Sequence, residues 1–427
     1  MTDFGHIVTS RPAGLHTPRS GKELADLVSF AGPRGVPVSA RGGGYAVHGQ
    51  SQAEGGYVVD MGALNGVHCP AGEHTLAAEA GALWSDVVDA ALAEGLAPQV
   101  LPDHLGASVG GTLSTGGIGA SSHRHGLVAD GVIELDVVTG GGAEVTCSRE
   151  RHPELFDTVL AGLSQCALIV GAVLRLMPVP ARVRRYRLYH RAPGTFFADQ
   201  RRLVHDDRFT HVSGQARPAL GGAWDYVIEA VAPHSGEHPP DDAQLTRGLR
   251  HDPETEEIED LGYAEFLHHM DRSERILRVT GEWDRPHPWL SLLLPEQEAL
   301  SFVPALLAER AQQGLRTCGT VQLRPLVSSR LRAPLLRRPT AEALCLVTLM
   351  RMAPPADPDA VRQALVANRE LYERARQLGG VLDPVSAVAM APRDWQTHFG
   401  PRWGELARAK KQYDPHRILT RGYALWS

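Results

Sequence analysis

Cysteine is scarce and scattered in this protein. Its five cysteines (Cys69, Cys147, Cys166, Cys318 and Cys345) are odd in number and stand far apart, with no CxxC or Cys/His ligand spacing. Neither a disulfide framework nor a zinc site is indicated. Excess positive charge is also missing: the formal net charge is −6, so neither nucleic acid nor an anionic membrane is suggested as a partner. Arginine far outnumbers lysine, but alanine, glycine and proline are abundant too, as a GC-rich genome would produce. No apolar run reaches membrane-spanning length. The opening "MTDFGHIVTSRPAG" has no basic run followed by an apolar one, which predicts no signal peptide and a cytoplasmic protein.

Glycine, by contrast, is plentiful, with 44 residues in 427. Length alone argues for two domains or one large discontinuous one. Up to about residue 180, short strands and helices alternate. "KELADLVSFAG" carries Leu24, Leu27 and Val28 at helical spacing with glycine as a stop, and "LWSDVVDAALAEGL" carries Val87, Val88, Ala91 and Leu92. "VPVSA" and "GYVVDM" read as short buried strands, and "VIELDVVTGGGAEVTC" as a hairpin. "ELFDTVLAGLSQCALIVGAVLRLMPVP" reads as a helix running into a strand. Beyond Arg182 glycine thins out. "HSGEHPPDDAQ" and "HDPETEEIED" read as solvated loops, and "ALVANRELYERARQLGG" as a helix ending on glycine. The predicted division is 1–180, 181–390 and a final segment 391–427.

Two stretches carry the chemistry. In "SARGGGYAVHGQ" (Ser39 to Gln50), three adjacent glycines forfeit much backbone freedom on folding. That cost is tolerable where the backbone turns sharply or lies too close to something for a Cβ. In "DHLGASVGGTLSTGGIGASSHRHG" (Asp103 to Gly126), glycines are interleaved with Ser108, Thr112, Ser114 and Thr115. Amides freed by glycine, together with hydroxyls, suit a diphosphate. Neither stretch is a GxGxxG fingerprint or a P-loop. Two such loops some sixty residues apart point to a large phosphate-bearing cofactor between them. His123 and His125 in "SSHRHG" lack a third ligand at a sensible spacing, so no metal site is predicted.

"RGGGYAVHGQSQAEGGYVVDM", "DHLGASVGGTLS", "HRHG", "IELDVVTG", "EVTCSRE" and "ELFDTVLAGL" together resemble the flavin domain of the vanillyl-alcohol-oxidase-type (PCMH-type) flavoproteins, and among those the cytokinin dehydrogenases. "WDYVIEA", "FLHHMDRSERILR", "PHPWL" and "HFGPRW" resemble that family's substrate domain, and "YDPHRILTRG" its returning C-terminal segment. The resemblance implies an α+β fold: a two-subdomain FAD-binding domain with a cap of antiparallel sheet and helices. It implies FAD held by Ala40, Arg41, Gly42, Gly43, Gly44, Tyr45, Ala46, Gly49 and Gln50 from the first stretch. From the second and beyond it implies Asp103, Ser108, Gly110, Gly111, Thr112, Ser114, Gly117, Ile118, Ile169 and Tyr423.

Such enzymes take a hydride from a carbon next to nitrogen or oxygen. The family's proton-accepting aspartate matches Asp103 in "LPDHLG". Its flavin-tethering histidine matches Tyr45, and a second tethering cysteine matches His104, so the expected FAD is dissociable, with His48 three residues off as the alternative tether. A family aromatic near the flavin falls at Ala389, and a glutamine at Tyr423. Glu282, Trp283 and Trp289 are candidate substrate contacts. The expected activity is a cytokinin-dehydrogenase-like amine oxidation, with oxygen or a quinone as electron acceptor. A natural-product tailoring oxidase and a slowly turning-over flavin-containing binding or resistance protein are the alternatives.

Overall fold

The computed structural model describes residues 1–219, 223–236, 239–312 and 319–426, with only the backbone of 310–312. Cys318 and part of the loop expected at 234–244 lie outside the described residues.

Three sheets organise the protein. Strands Gly14–His16, Tyr57–Asp60 and Val38–Arg41 form a small parallel sheet with Tyr57–Asp60 in the middle. Helix Gly21–Ala31 lies between the first and last of these in sequence. Ser20 caps that helix by accepting from the Glu23 amide, and Leu24, Ala25, Val28 and Ala31 form its buried face, which a helix of this period presents to a core.

The second sheet is antiparallel, in the order Val67–His68, Thr75–Glu79, Ala167–Pro178, Val132–Thr139, Glu144–Ser148. Its central strand Ala167–Pro178 follows helix Pro153–Val159, and the last two strands are the hairpin around "TGGG". Helix Trp84–Ala93 buries Trp84, Val87, Val88 and Ala91. Leu92 is only half-buried, at the edge of the apolar stripe.

The third sheet has eight antiparallel strands drawn from residues 182–382. Arg182–His190 lies near one edge, between the edge strand Glu257–Gly262 and Trp224–His234. The charged run "EIED" reads from composition as part of a solvated loop; it instead forms most of that edge strand. Cross-strand ion pairs explain the difference: Asp260 meets Arg184 at 2.6 Å, Glu257 meets Arg187 at 2.9 Å, and Glu259 meets Arg185. The strand Val321–Val327 lies fifth across the same sheet.

After the sheet, the backbone runs back onto the first half. Leu419 bridges Val38 in parallel, and the Tyr413 carbonyl accepts from the Gly141 amide. Lys410, only 1% exposed, donates to the Gln165 carbonyl at 2.8 Å and pairs with buried Asp414 at 2.7 Å. Burial pulls its ammonium below the ordinary lysine range while Asp414 pushes it back up. Asp414 in turn accepts the amides of Ile418 and Leu419. This buried pair holds the final segment against the first half of the molecule.

Candidate active site

The first glycine stretch leaves the small parallel sheet at Arg41. Among the described residues, the amides of Gly42, Gly43, Gly44, Tyr45 and Ala46 donate to no carbonyl or side chain. The loop is held instead through its carbonyls: Gly44 accepts from the Phe4 amide and Ala46 from Gly5. Gly44 has φ +79°, a left-handed geometry that glycine adopts without steric cost. Five consecutive backbone donors without a partner among the described residues make a cradle for an anionic group.

The second stretch lies directly against the first. A Cβ on Gly42 would stand 1.8 Å from Ser108 Oγ, and one on Gly43 would stand 2.7 Å from the Gly106 carbonyl oxygen. The two loops therefore meet backbone to backbone. Ser108 caps helix Val109–Thr115 by accepting from Gly111. The other hydroxyls are largely engaged inside the protein: Thr112 accepts from the Trp84 indole at 2.8 Å, and Ser114 donates to the Gly110 carbonyl. Ser114 has thereby used its donor, whereas Ser108 and Thr112 act as acceptors in these bonds and keep an O–H to offer a ligand.

Between the stretches lies a cavity of ≈ 250 Å³ lined by Ala40, Gly42, Gly43, Gly44, Tyr45, Ala46, Gln50, Ser108, Gly111, Thr112, Ser114 and Tyr423. Several residues expected at the cofactor do not line this cavity. A Cβ on Gly110 would meet Ala80, so this glycine serves helix packing, and Gly117 packs on Thr112 and Val128. Ile169 is buried in the second sheet opposite Val137. The Arg41 guanidinium donates to the Thr2 carbonyl. Gly49, His48 and Ala389 line a neighbouring cavity of ≈ 510 Å³ on the far side of Gln50 and Tyr423.

Leu163, Ser164, Val385 and Thr420, which the sequence does not mark as cofactor contacts, also line the smaller cavity. Leu163, Ser164 and Thr420 have φ of 57°, 54° and 49°. Such backbone costs roughly 1–3 kcal/mol per residue and clusters where a ligand is held. Val385, rather than Ala389, occupies the place beside Tyr423 in this wall.

Asp103 stands at the mouth of the second stretch. Both carboxylate oxygens accept from Nη2 of Arg324, at 2.8 and 2.6 Å, and Gln322 approaches Oδ2 at 3.5 Å. Next to it, His104 meets Glu274 at 3.4 Å, and its ring stands edge-on to Tyr45 at 4.3 Å. Burial lowers the His104 pKa against the raising charges of Glu274, Asp271 and Asp103. The Arg278 guanidinium stands near the Tyr45 phenol, where its charge acts on that group, and lies 4.3 Å from the centroid of the Trp283 ring. Burial, then the Glu274 charge, pushes that phenol up to about 12.

Glu274 and Arg278 come from the helix His269–Val279, which buries none of its residues in the core. Glu282 pairs with Arg285 at 2.9 Å, and Glu274 reaches His104, the residue after Asp103. Trp283 packs on Phe4, whose ring also meets Trp289 at 5.2 Å. The Trp289 indole N–H is buried with no acceptor among the described residues.

The arrangement comprises an anion cradle between two subdomains, an adjoining carboxylate and an aromatic roof from the third sheet's half of the molecule. Comparison with known proteins identifies it. Residues 12–148 match the family model described as FAD binding domain, and residues 222–426 match the one described as cytokinin dehydrogenase 1, FAD and cytokinin binding. The chain belongs to the cytokinin dehydrogenase family of FAD oxidoreductases. Among its relatives, the uncharacterized oxidoreductase ORF5 in the fasciation locus of Rhodococcoides fascians is 38% identical, over 99% of this protein and 95% of the relative. Cytokinin dehydrogenase 7 of Oryza sativa subsp. japonica is 33% identical over 100% and 89% of the two proteins, and cytokinin dehydrogenase 2 of Arabidopsis thaliana 29% over 98% and 90%. The protein is an FAD-dependent dehydrogenase or oxidase of α+β architecture. The partnerless amides of residues 42–46 and the left-handed turns at Leu163 and Ser164 fit the cofactor's diphosphate and extended form. Among the described residues, no helix is long and apolar enough to cross a membrane, and no group of His, Cys, Asp and Glu side chains would hold a metal ion.

Proposed function

We propose that this FAD oxidoreductase oxidises the C–N bond that carries the substituent of an adenine-type cytokinin, with Asp103 as proton acceptor and FAD held without a covalent link. The observation that carries the reading is the Asp103 carboxylate, partly open to solvent and paired with Arg324, immediately before His104, whose ring packs against Tyr45 and Trp283. When bound, FAD supplies a two-electron acceptor for the hydride leaving the substrate carbon. The protein's part is to orient the substrate and receive its N–H proton. Among the described residues, Oδ1 of Asp103 is engaged only by Arg324, whereas Oδ2 is also approached by Gln322; Oδ1 therefore retains more acceptor capacity. The neighbouring aromatic side chains offer flat faces to a purine.

The tether argument rests on Tyr45 and His48. A phenol pushed up to about 12 stays protonated at neutral pH and makes a poor nucleophile. His48 faces the neighbouring cavity.

Anaerobic mixing with isopentenyladenine tests the substrate class. Bleaching of the bound flavin within a turnover supports the reading. If the flavin stays yellow with isopentenyladenine but bleaches with another amine or an alcohol, the substrate belongs to a tailoring oxidase. A perturbed but unbleached spectrum with every compound indicates a binding protein.

A further inference from the structure

Arg324 is an expensive residue to keep where it stands. Its side chain is 5% exposed, it sits in a central strand of the eight-stranded sheet, and its Nε has no acceptor among the described residues. Its neighbours Val321 and Leu323, pointing to the opposite face, are fully buried in the apolar core. Burying a guanidinium costs several kcal/mol, and an apolar side chain of similar volume is often as stable or more so. Stability alone gives no reason for a cation here.

What Arg324 touches supplies one. Nη2 spans both oxygens of Asp103, and Nη1 donates to the Ile118 carbonyl at 3.3 Å. Both acceptors lie on the second glycine stretch, while Arg324 comes from the other half of the molecule. Gln322, two positions earlier and therefore on the same strand face, also points its amide at Asp103. Two consecutive inward positions of one strand thus aim donors at a single carboxylate.

We propose that Arg324 is the positioning residue for Asp103: it fixes the carboxylate's orientation from across the two halves and cancels its charge beside the cofactor cavity. The inference rests on Asp103 being the proton acceptor. Held from one side by Nη2, the carboxylate presents its outer lone pairs to the substrate and cannot rotate them away. The pair is neutral as a unit, so the cavity gains an oriented acceptor without a net negative charge that would oppose electron uptake.

The test uses the FAD-loaded protein and the midpoint potential of its bound flavin, which requires no substrate. Arg324→Met keeps an apolar stem in the strand and leaves Asp103, already part-exposed, able to hydrate. An unpaired carboxylate is then left beside the cavity, and the potential falls. In Arg324→Met/Asp103→Asn both charges are gone, and the potential returns toward wild type. Arg324→Lys keeps the charge but loses the two-oxygen contact geometry; its potential stays near wild type. Flavin bleaching by isopentenyladenine slows about 10-fold or more in Arg324→Met, because a misplaced acceptor loses effective molarity. In the double variant bleaching is no slower than in Asp103→Asn alone, since the arginine acts only through the aspartate.

A wild-type potential in Arg324→Met overturns the inference, as does a double variant whose potential stays as low as that of Arg324→Met. Failure of the underlying reading looks different: Asp103→Asn then bleaches at the wild-type rate, whatever the arginine variants do. Should Arg324→Met fail to fold, Arg324→Gln read against Arg324→Lys gives the same potential comparison.

Discussion

Replacing Asp103 with Asn slows reduction of the bound flavin by about 10²-fold or more, because an amide cannot accept the substrate's proton in the transition state. FAD content stays at the wild-type level. Asp103 does not line the cavity between the glycine stretches, and an asparagine oxygen still accepts from Arg324, so the buried guanidinium is not stranded. Stopped-flow spectroscopy under anaerobic conditions reads the rate, and the absorbance ratio of flavin to protein reads the content. An unchanged rate removes Asp103 from the chemistry. A lost rate together with lost flavin makes it structural instead.

The second large effect is on the cofactor itself. A Gly43→Val protein binds FAD at least about 10-fold more weakly, because overpacking at a tight contact costs roughly 1–3 kcal/mol. The obstacle is the Gly106 carbonyl oxygen, 2.7 Å from the new Cβ, with the Tyr45 ring at 2.9 Å. A carbonyl in the backbone cannot rotate aside as a side chain can. Relief comes only by parting the two stretches, and parting them opens the cradle. Equilibrium titration with FAD measures the affinity, with the thermal midpoint of the apoprotein as a control for folding. Wild-type affinity in a folded Gly43→Val protein means the contact does not shape the cofactor site.

What the sequence discloses and what it hides follow from how each feature writes itself into the residues. A close backbone approach demands glycine, so Gly42 and Gly43 mark such an approach in the sequence; that the neighbour they meet is the second glycine stretch is seen only in the fold. The helices at Gly21–Ala31 and Trp84–Ala93 are legible because burial repeats with the helical period. The wall residues Leu163, Ser164 and Thr420 are not legible, because a left-handed turn at a non-glycine leaves no compositional trace. Glu274 is out of reach for another reason. It lies on an exposed helix 170 residues from His104, and a charged residue on such a face looks like ordinary surface. "EIED" reads as a loop because an acidic run has the same composition in a loop and at a sheet edge. Its identity as a strand depends on Arg184, Arg185 and Arg187, some seventy residues earlier. The hydroxyls of Thr112 and Ser114 both suggest phosphate donors, yet Ser114 already donates to the Gly110 carbonyl, while Thr112 accepts from Trp84 and keeps its O–H.

The family match fixes FAD as the cofactor, and the geometry explains how two separated glycine runs make one cradle. Tyr45 stands where the resemblance places a tethering histidine: its ring meets Phe4, His104 and Trp283, with the Arg278 guanidinium near its phenol. Those contacts place a bulky, protonated group on the cavity wall.

Acid precipitation of the purified protein tests the cradle and the absence of a tether together. The account predicts a colourless pellet and a yellow supernatant holding one FAD per polypeptide. A yellow pellet contradicts the dissociable cofactor, and a preparation that is colourless and takes up no added FAD contradicts the cradle itself.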